Sequence, residues 1–243
     1  MNVQDRRRLL GPPNARPVAF SKVLEEPTEI SNVSSNDKAL PYMKMGLITN
    51  CNGSSYIESG DDNLMLITSV YGPKPIRGSF TSKAVLTVHL ENSIATANNS
   101  DGSTDDGKNF NTSDDYKDLS FFLKNIFDSV VQLDKYPKSG IDIFVKVVNT
   151  DSANTSNIPK LLQMCCNGIL LGLVDANMEI SDLVGIGIIS HECCVSFIKN
   201  GLEMCGFWKM KDEDEQDIEE IVGKCKENYL ENKYLISSYL NGD

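Results

Sequence analysis

The sequence predicts an α+β domain in which helices are layered on mixed and antiparallel β-sheets. Three observations predict it. Four strand-like segments joined by short turns precede the first helical pattern. One further strand separates that helix from a second helix that is apolar nearly all round. Three more short strands and a terminal amphipathic helix complete the order ββββ-α-β-α-βββ-α. Runs of strands divided by long helices fit sheets covered by helices.

The elements follow in chain order. Residues 1–40 read as a basic, partly flexible arm, with Arg6, Arg7, Arg8, Arg16 and Lys22 against Asp5 in its first part and a polar stretch from Glu25 to Asp37. Such composition buries too little apolar surface to offset the entropy of ordering. Residues 41–243 read as a single domain. Gly46–Cys51 is the first strand, Asn52-Gly53 a type I′ turn signal, and Ser54–Ser59 the returning strand. Leu64–Tyr71 is nearly all apolar and so central, stopped by Gly72-Pro73. Thr81–Leu90 carries Ala84, Leu86, Val88 and Leu90 on one face. Together these four read as an antiparallel meander.

Residues 91–118 hold almost no aliphatic side chains and many acids, and read as a solvated insertion. A helix over about Tyr116–Leu133 follows, with Leu119, Phe122, Leu123, Ile126, Val130 and Leu133 at helical spacing. Ile141–Val148 is the fifth strand. Ile158–Ala176 is apolar on every side and must be buried, with Gly168 and Gly172 leaving room for a close neighbour. Leu183–Ile189, Cys194–Lys199 and Leu202–Trp208 are three short strands, the last two joined at Asn200-Gly201. Asp212–Leu240 is an amphipathic helix with Ile218, Ile221, Val222, Cys225 and Tyr229 on one face. The acids of its first turns suit the positive end of the helix dipole.

Composition excludes several classes. The chain has 243 residues, 23 Lys+Arg against 34 Asp+Glu, and a formal net charge of −11. A free-standing nucleic-acid binder carries a basic footprint instead, so contact with RNA is expected only through a local patch or inside an assembly. The longest apolar run, Leu161–Val174, is interrupted by Gln163 and Asn167 and falls short of the roughly 20 residues of a membrane span. No membrane partner is expected, and the N-terminal residues have no apolar stretch of a secretory signal. Seven cysteines without a Cys-x-x-Cys spacing argue for reduced, mostly buried thiols.

Candidate chemistry is sparse. Gly185–Ile189 (GIGII) lacks the third glycine and the following helix of a dinucleotide loop. His191-Glu192-Cys193-Cys194 has no second ligand pair at metal spacing, so no metal or cofactor is expected. No serine elbow, Walker loop or His-Glu-x-x-His occurs. What remains is Lys74, Arg77 and Lys83 around the Gly72–Ser82 loop, with Arg6, Arg7 and Arg8 as a second basic cluster. Phosphate contacts need only cations and backbone amides on an exposed loop.

These segments carry a resemblance. Asn52-Gly53-Ser54 between strands, Leu66–Pro73 (LITSVYGP), Arg77 before AVLTVHL, Tyr136–Val148 (YPKSGIDIFVKVV) and Asn167–Gly187 (NGILLGLVDANMEISDLVGIG) occur in the order of the RNase PH-like family. Asp5-Arg6-Arg7 resembles the family's opening segment. DRRRLLGPP, CNGSS, IRGSFTS, VSFIKNG and GFWK further resemble the fungal, non-catalytic exosome core subunits of the messenger-RNA-transport type. The resemblance covers most of residues 40–240. It implies an RNase PH-like fold and a place in a six-membered ring of three heterodimers. Small RNA-binding cap proteins would lie on that ring, RNA would thread its channel, and a processive nuclease would sit beneath. It implies a role in rRNA processing and RNA turnover in nucleus, nucleolus and cytoplasm. Arg77 would face the channel, with Lys74 and Lys83 behind it, while Arg6–Arg8 would meet a neighbouring subunit or cap.

Two departures bear on catalysis. Active members carry Gly-Thr-Arg at the start of the buried helix to hold phosphate; here the segment is Ser156-Asn157-Ile158-Pro159-Lys160. They also carry an acidic segment where only Ser190-His191-Glu192-Cys193 connects two strands. The expectation is therefore no catalytic residue and a structural role. The alternative is an active phosphorolytic 3′-to-5′ exoribonuclease; a small free-standing RNA-binding module is disfavoured by the net charge.

Overall fold

A computed structural model describes residues 40–60, 64–78, 80–92, 113–149, 157–189, 193–209 and 218–242. The expected arm with Arg6, Arg7 and Arg8, most of the expected insertion, and the Ser190–Glu192 connection lie outside the described residues.

Eight strands and three long helices are arranged among the described residues as β1 Tyr42–Met45, β2 Gly53–Glu58, β3 Met65–Pro75, β4 Val85–Asn92, α1 Ser113–Val130, β5 Ser139–Asn149, α2 Ile158–Asp175, β6 Gly185–Ile188, β7 Cys193–Ile198, β8 Glu203–Lys209 and α3 Ile218–Asn241. This is the expected α+β layering. A five-stranded mixed sheet carries α1 and α2 on one face, the three-stranded antiparallel sheet β6-β7-β8 lies beyond them, and α3 covers the far side of β6 and β7.

The meander is corrected. The sheet order is β1-β2-β3-β5-β4, with β5 inserted antiparallel to β3 and parallel to β4. Alternation along a strand fixes which side chains face the core but not which strand lies alongside. The long β4–α1–β5 connection supplies the crossover that a parallel pair needs. β5 is central because its inward residues Ile141, Ile143, Val145 and Val147 are buried beside those of both neighbours.

Two turn signals have other causes. The first strand is Tyr42–Met45 rather than Gly46–Cys51, and Asn52-Gly53 is not a two-residue turn. Gly53 begins β2, opposite Val70. A Cβ there would lie 2.3 Å from the Gly172 carbonyl oxygen and the Ala176 nitrogen, so glycine is required by the approach of α2. Gly72-Pro73 does not stop β3 either. The strand passes through a cis peptide and a register shift and pairs again at Lys74 and Pro75 with Gly140 and Ser139.

Helix α2 is buried as expected. It is, among the described residues, the helix long and apolar enough to match a membrane span by composition, at a mean hydropathy of 1.2. Here it is the core between the two sheets. Gly168 faces Thr68 and Gly172 faces Val70, the close approach that the spacing anticipates. Its two polar interruptions have partners. Gln163 Nε2 donates to the Ile186 carbonyl at 2.8 Å and to Asn228 Oδ1 at 3.1 Å. Asn167 and Asn232 exchange hydrogen bonds at 3.0 Å. Residues four apart share a helix face, so the pairs Gln163/Asn167 and Asn228/Asn232 form an amide seam between α2 and α3. Asn228 Oδ1 also accepts the Ile188 amide at 3.0 Å. The outward backbone groups of β6 are thereby satisfied.

The remaining differences are of boundary. α1 starts at Ser113 and ends at Val130, with Leu133 in a following 3-10 turn. α3 begins at Ile218, which is exposed; the acids Asp212–Asp217 lie outside the described residues. Its buried contacts are Ile221, Cys225, Tyr229 and Ile236. The Asn200-Gly201 turn does join β7 to β8, through three successive residues with positive φ, Lys199, Asn200 and Gly201. All seven cysteines are free, five of them buried.

α3 sits so close to β6 that a Cβ on Gly187 would lie 1.8 Å from the Cys225 carbonyl oxygen. Gly187→Ala must displace helix backbone, and we expect it to cost roughly 2–4 kcal/mol in urea unfolding of the full chain. A loss below about 0.5 kcal/mol would mean that α3 is free to back away from the sheet.

Candidate nucleic-acid interface

The basic loop is built where β3 leaves the sheet. Its base is tied down by backbone bonds: Ile76 N to Lys138 O at 3.1 Å, Lys138 N to Thr81 O at 3.0 Å and Ala84 N to Leu133 O at 3.0 Å. Arg77 and Gly78 project between these ties, and a Cβ on Gly78 would meet nothing within 4 Å.

The three candidate cations are not equivalent. Lys74 forms an ion pair with Asp142, which also accepts from the Thr87 hydroxyl. Partial burial opposes the charged form of Asp142, but the Lys74 ammonium, the Thr87 hydroxyl and nearby His89 outweigh it and hold the carboxyl below the usual aspartate range. Lys83 pairs with Asp134 at 3.1 Å. Arg77 is exposed and has no carboxylate partner among the described residues. The fold thus leaves one uncompensated cation where the sequence offered three. Arg6, Arg7 and Arg8 lie outside the described residues.

Sequence reasoning missed Phe80. It lies three residues beyond Arg77 on the same loop and is 74% exposed. An exposed aromatic ring is a stacking surface for an unpaired base. The available signal was a lone aromatic within an otherwise polar Gly-Ser/Thr-Ser loop.

A groove of about 770 Å³ opens next to Lys83, between the start of β4 and the end of α1. Its lysines are already neutralised: Lys83 by Asp134, Lys124 by Asp128, and Lys135 by Glu179 at its margin. The groove therefore offers no net positive field to an anion.

The start of α2 was the other candidate region. Asn157 caps the helix, its Oδ1 accepting the Lys160 amide at 3.3 Å, while Leu161 N donates to the Asn157 carbonyl at 3.1 Å. Pro159 has no N–H to give. Of the first-turn amides that a helix N-terminus can offer an anion, that of Lys160 is taken by the cap and that of position 159 is missing, which leaves a reduced set.

Neither thiol nor metal chemistry assembles among the described residues. Burial pushes the Cys165, Cys166 and Cys194 thiols up, and Cys225 up to about 12. A protonated buried thiol is not a nucleophile. No group of three His, Cys, Asp or Glu side chains converges as ligands. His89 stacks on Phe144, with ring centroids 4.7 Å apart.

Residues 41–179 match the 3′ exoribonuclease family, domain 1. The chain belongs to this family. The match runs from β1 past the end of α2, so it includes both the basic loop and the capped helix. Among family relatives, the exosome complex component MTR3 of Chaetomium thermophilum is 25% identical over 205 residues, covering 76% of this chain and 70% of that one. The exosome complex component RRP41 of Mus musculus is 30% identical over 145 residues, covering 58% of this chain and 53% of that one. The chain spans 59% of the RRP41-named relative from Caenorhabditis briggsae. Rice Rrp46 has the same fold, with a TM-score of 0.62 at 18% identity over 86% of this chain and 96% of that one. The structure titled archaeal exosome core follows at 0.59 and 11% identity, over 83% and 87%.

The Lys74–Asp142 pair gives this family member a measurable signature. Because the folded-state pKa of Asp142 is depressed, its contribution to stability is present above the ordinary aspartate value and is lost as pH falls through the depressed one. Lys74→Met should raise the Asp142 pKa in a carboxyl NMR titration and move the onset of acid destabilisation to higher pH. An unchanged titration would show that Thr87 and His89 suffice without Lys74.

Proposed function

We propose that the chain is a non-catalytic structural subunit of the RNA exosome core ring, supporting 3′-to-5′ processing and degradation of RNA, including rRNA. In this reading residues 41–243 form one RNase PH-like domain, which closes the ring with other RNase PH-like subunits as one member of a heterodimer. Small RNA-binding cap proteins and a processive nuclease complete the assembly, which works in nucleus, nucleolus and cytoplasm. The basic arm with Arg6, Arg7 and Arg8 contacts a neighbouring subunit or cap.

The observation that carries the non-catalytic reading is the start of α2. A phosphorolytic enzyme needs an open anion cradle and an acid. Here Asn157 caps the Lys160 amide and Pro159 supplies none, so the helix end offers an anion fewer donors, and the arginine of the active members' segment is replaced. The matching relatives named as exosome components support membership of the ring. The net charge of −11 supports RNA contact in the assembly rather than by the chain alone.

RNA contact falls first to Arg77, because Lys74 and Lys83 already hold carboxylates. Phe80 adds a stacking surface on the same loop.

Two experiments test this. The full chain, alone and with co-purified ring subunits at native stoichiometry, should release no nucleoside diphosphates from poly(A) in the presence of inorganic phosphate. Their release at a rate tracking this chain would establish the enzyme instead. Arg77→Glu should weaken RNA retention by the assembled ring roughly five- to tenfold at about 0.1 M salt, with a shallower salt dependence. Unchanged retention would remove this loop from the RNA path.

A further inference from the structure

The β3–β5 ladder continues past its last strand pairs. Lys74 lies opposite Gly140 and Pro75 opposite Ser139, and one step further the Ile76 amide donates to the Lys138 carbonyl at 3.1 Å. The Lys138 amide donates in turn to the Thr81 carbonyl at 3.0 Å, on the returning arm of the basic loop. Lys138 therefore lies between the two arms of that loop. It stands one residue from Arg77 across an interstrand spacing of roughly 5 Å.

The backbone of Lys138 is left-handed, with a φ of 55°. Lysine is uncommon in that region, and such a conformation persists where surrounding bonds impose it. The bonds to Ile76 and Thr81 impose it here and hold an exposed side chain at the loop mouth. Lys199 shares the conformation, but its ammonium is held by Glu203 at 2.6 Å. Lys138 has no carboxylate partner among the described residues.

This end of the sheet carries Lys74, Arg77, Lys83, Lys135 and Lys138. Three of these cations hold an acid: Lys74 holds Asp142, Lys83 holds Asp134 and Lys135 holds Glu179. The two without a counter-charge, Arg77 and Lys138, are the two that the ladder sets side by side. A chain of net charge −11 thus keeps a local positive pole at the loop mouth. Gly78 adds room, since a Cβ there would meet nothing within 4 Å and an anion can come close to the loop backbone.

We infer that Lys138 completes, with Arg77, a two-cation clasp for the phosphate backbone of single-stranded RNA. Both cations are exposed, which suits successive phosphates of a flexible polyanion. A single free phosphate takes an enclosed set of converging donors instead. The exposed ring of Phe80 on the same loop supplies the stacking surface by which a single strand is held in addition to its phosphates. The inference rests on the RNA path proposed for this loop, and it adds a contact from a segment distant in sequence.

RNA retention by the co-purified ring tests it, measured by fluorescence anisotropy of labelled oligoadenylate over a salt series. Lys138→Asn removes the charge while suiting a left-handed backbone, so the free chain should melt as the wild type does. In the ring it should weaken retention roughly three- to tenfold at about 0.1 M salt. It should also lower the slope of log affinity against log salt by about 0.7, the share of one phosphate contact on a single strand. Lys138→Arg should preserve both values. Lys83→Gln, whose charge Asp134 already holds, should change affinity less than about twofold. An effect of Lys83→Gln equal to that of Lys138→Asn would reduce the clasp to general surface charge and overturn it. If Arg77→Glu weakens retention while Lys138→Asn changes neither affinity nor slope, the inference fails and the RNA reading of the loop stands. If neither variant affects a ring that binds RNA, the loop reading fails as well. Loss of a subunit or cap from the Lys138→Asn ring at unchanged RNA affinity would make Lys138 a protein contact and overturn the choice of ligand.

Discussion

Helix α2 has no face that water can tolerate, and the rest of the architecture answers to that. A helix apolar on one side needs one sheet; a helix apolar on all sides needs two. The five-stranded sheet covers α2 from β2 and β3, and the three-stranded sheet covers it from β6. The glycines at Gly53, Gly168 and Gly172 let backbone and helix approach until no gap remains. Fifteen of the 18 residues of α2 are buried, so burial at about 25 cal/mol per Å² of apolar surface is concentrated along it.

So deep a helix must also dispose of its polar groups. Gln163 and Asn167 would each cost about 1–3 kcal/mol if buried without partners. Their spacing of four residues, matched by Asn228 and Asn232, turns that liability into the seam that fixes α3 and closes the β6 edge. With α3 committed to β6 and β7, Met204 and Phe207 of β8 stay exposed among the described residues. At the helix start, Asn157 caps and Pro159 shapes the first turn. The same cap and proline reduce the number of amides that the helix start can offer an anion.

The element types were largely legible because periodicity reports burial directly. The all-apolar run of α2, the spacing of Leu119, Leu123, Ile126 and Val130 in α1, and the alternation of β5 each correspond to what the structure buries. Lateral order was not legible. Nothing in VLTVHL or IDIFVKVV states that the later strand enters between β3 and β4. Gly53 shows a related failure, since a glycine after asparagine signals a turn equally well whether the real constraint is a turn or a neighbouring helix. In the candidate interface, the sequence located Lys74, Arg77 and Lys83 on one loop region, but Asp142 and Asp134 come from distant segments. Which cation stays unpaired is decided by those carboxylates. Phe80 stood out in the sequence only as a lone aromatic in a polar loop; its exposure is a property of the folded loop.

The sequence by itself determined the layering of helices on sheets, the burial of α2 and the resemblance to a family of 3′ exoribonucleases. These follow from side-chain chemistry and its spacing along the chain, which folding cannot change. Only the tertiary structure decided the strand order and which of the three loop cations, Lys74, Arg77 and Lys83, keeps no carboxylate partner among the described residues. Each of those depends on contacts between residues far apart in sequence, and neither spacing nor composition records how distant segments meet.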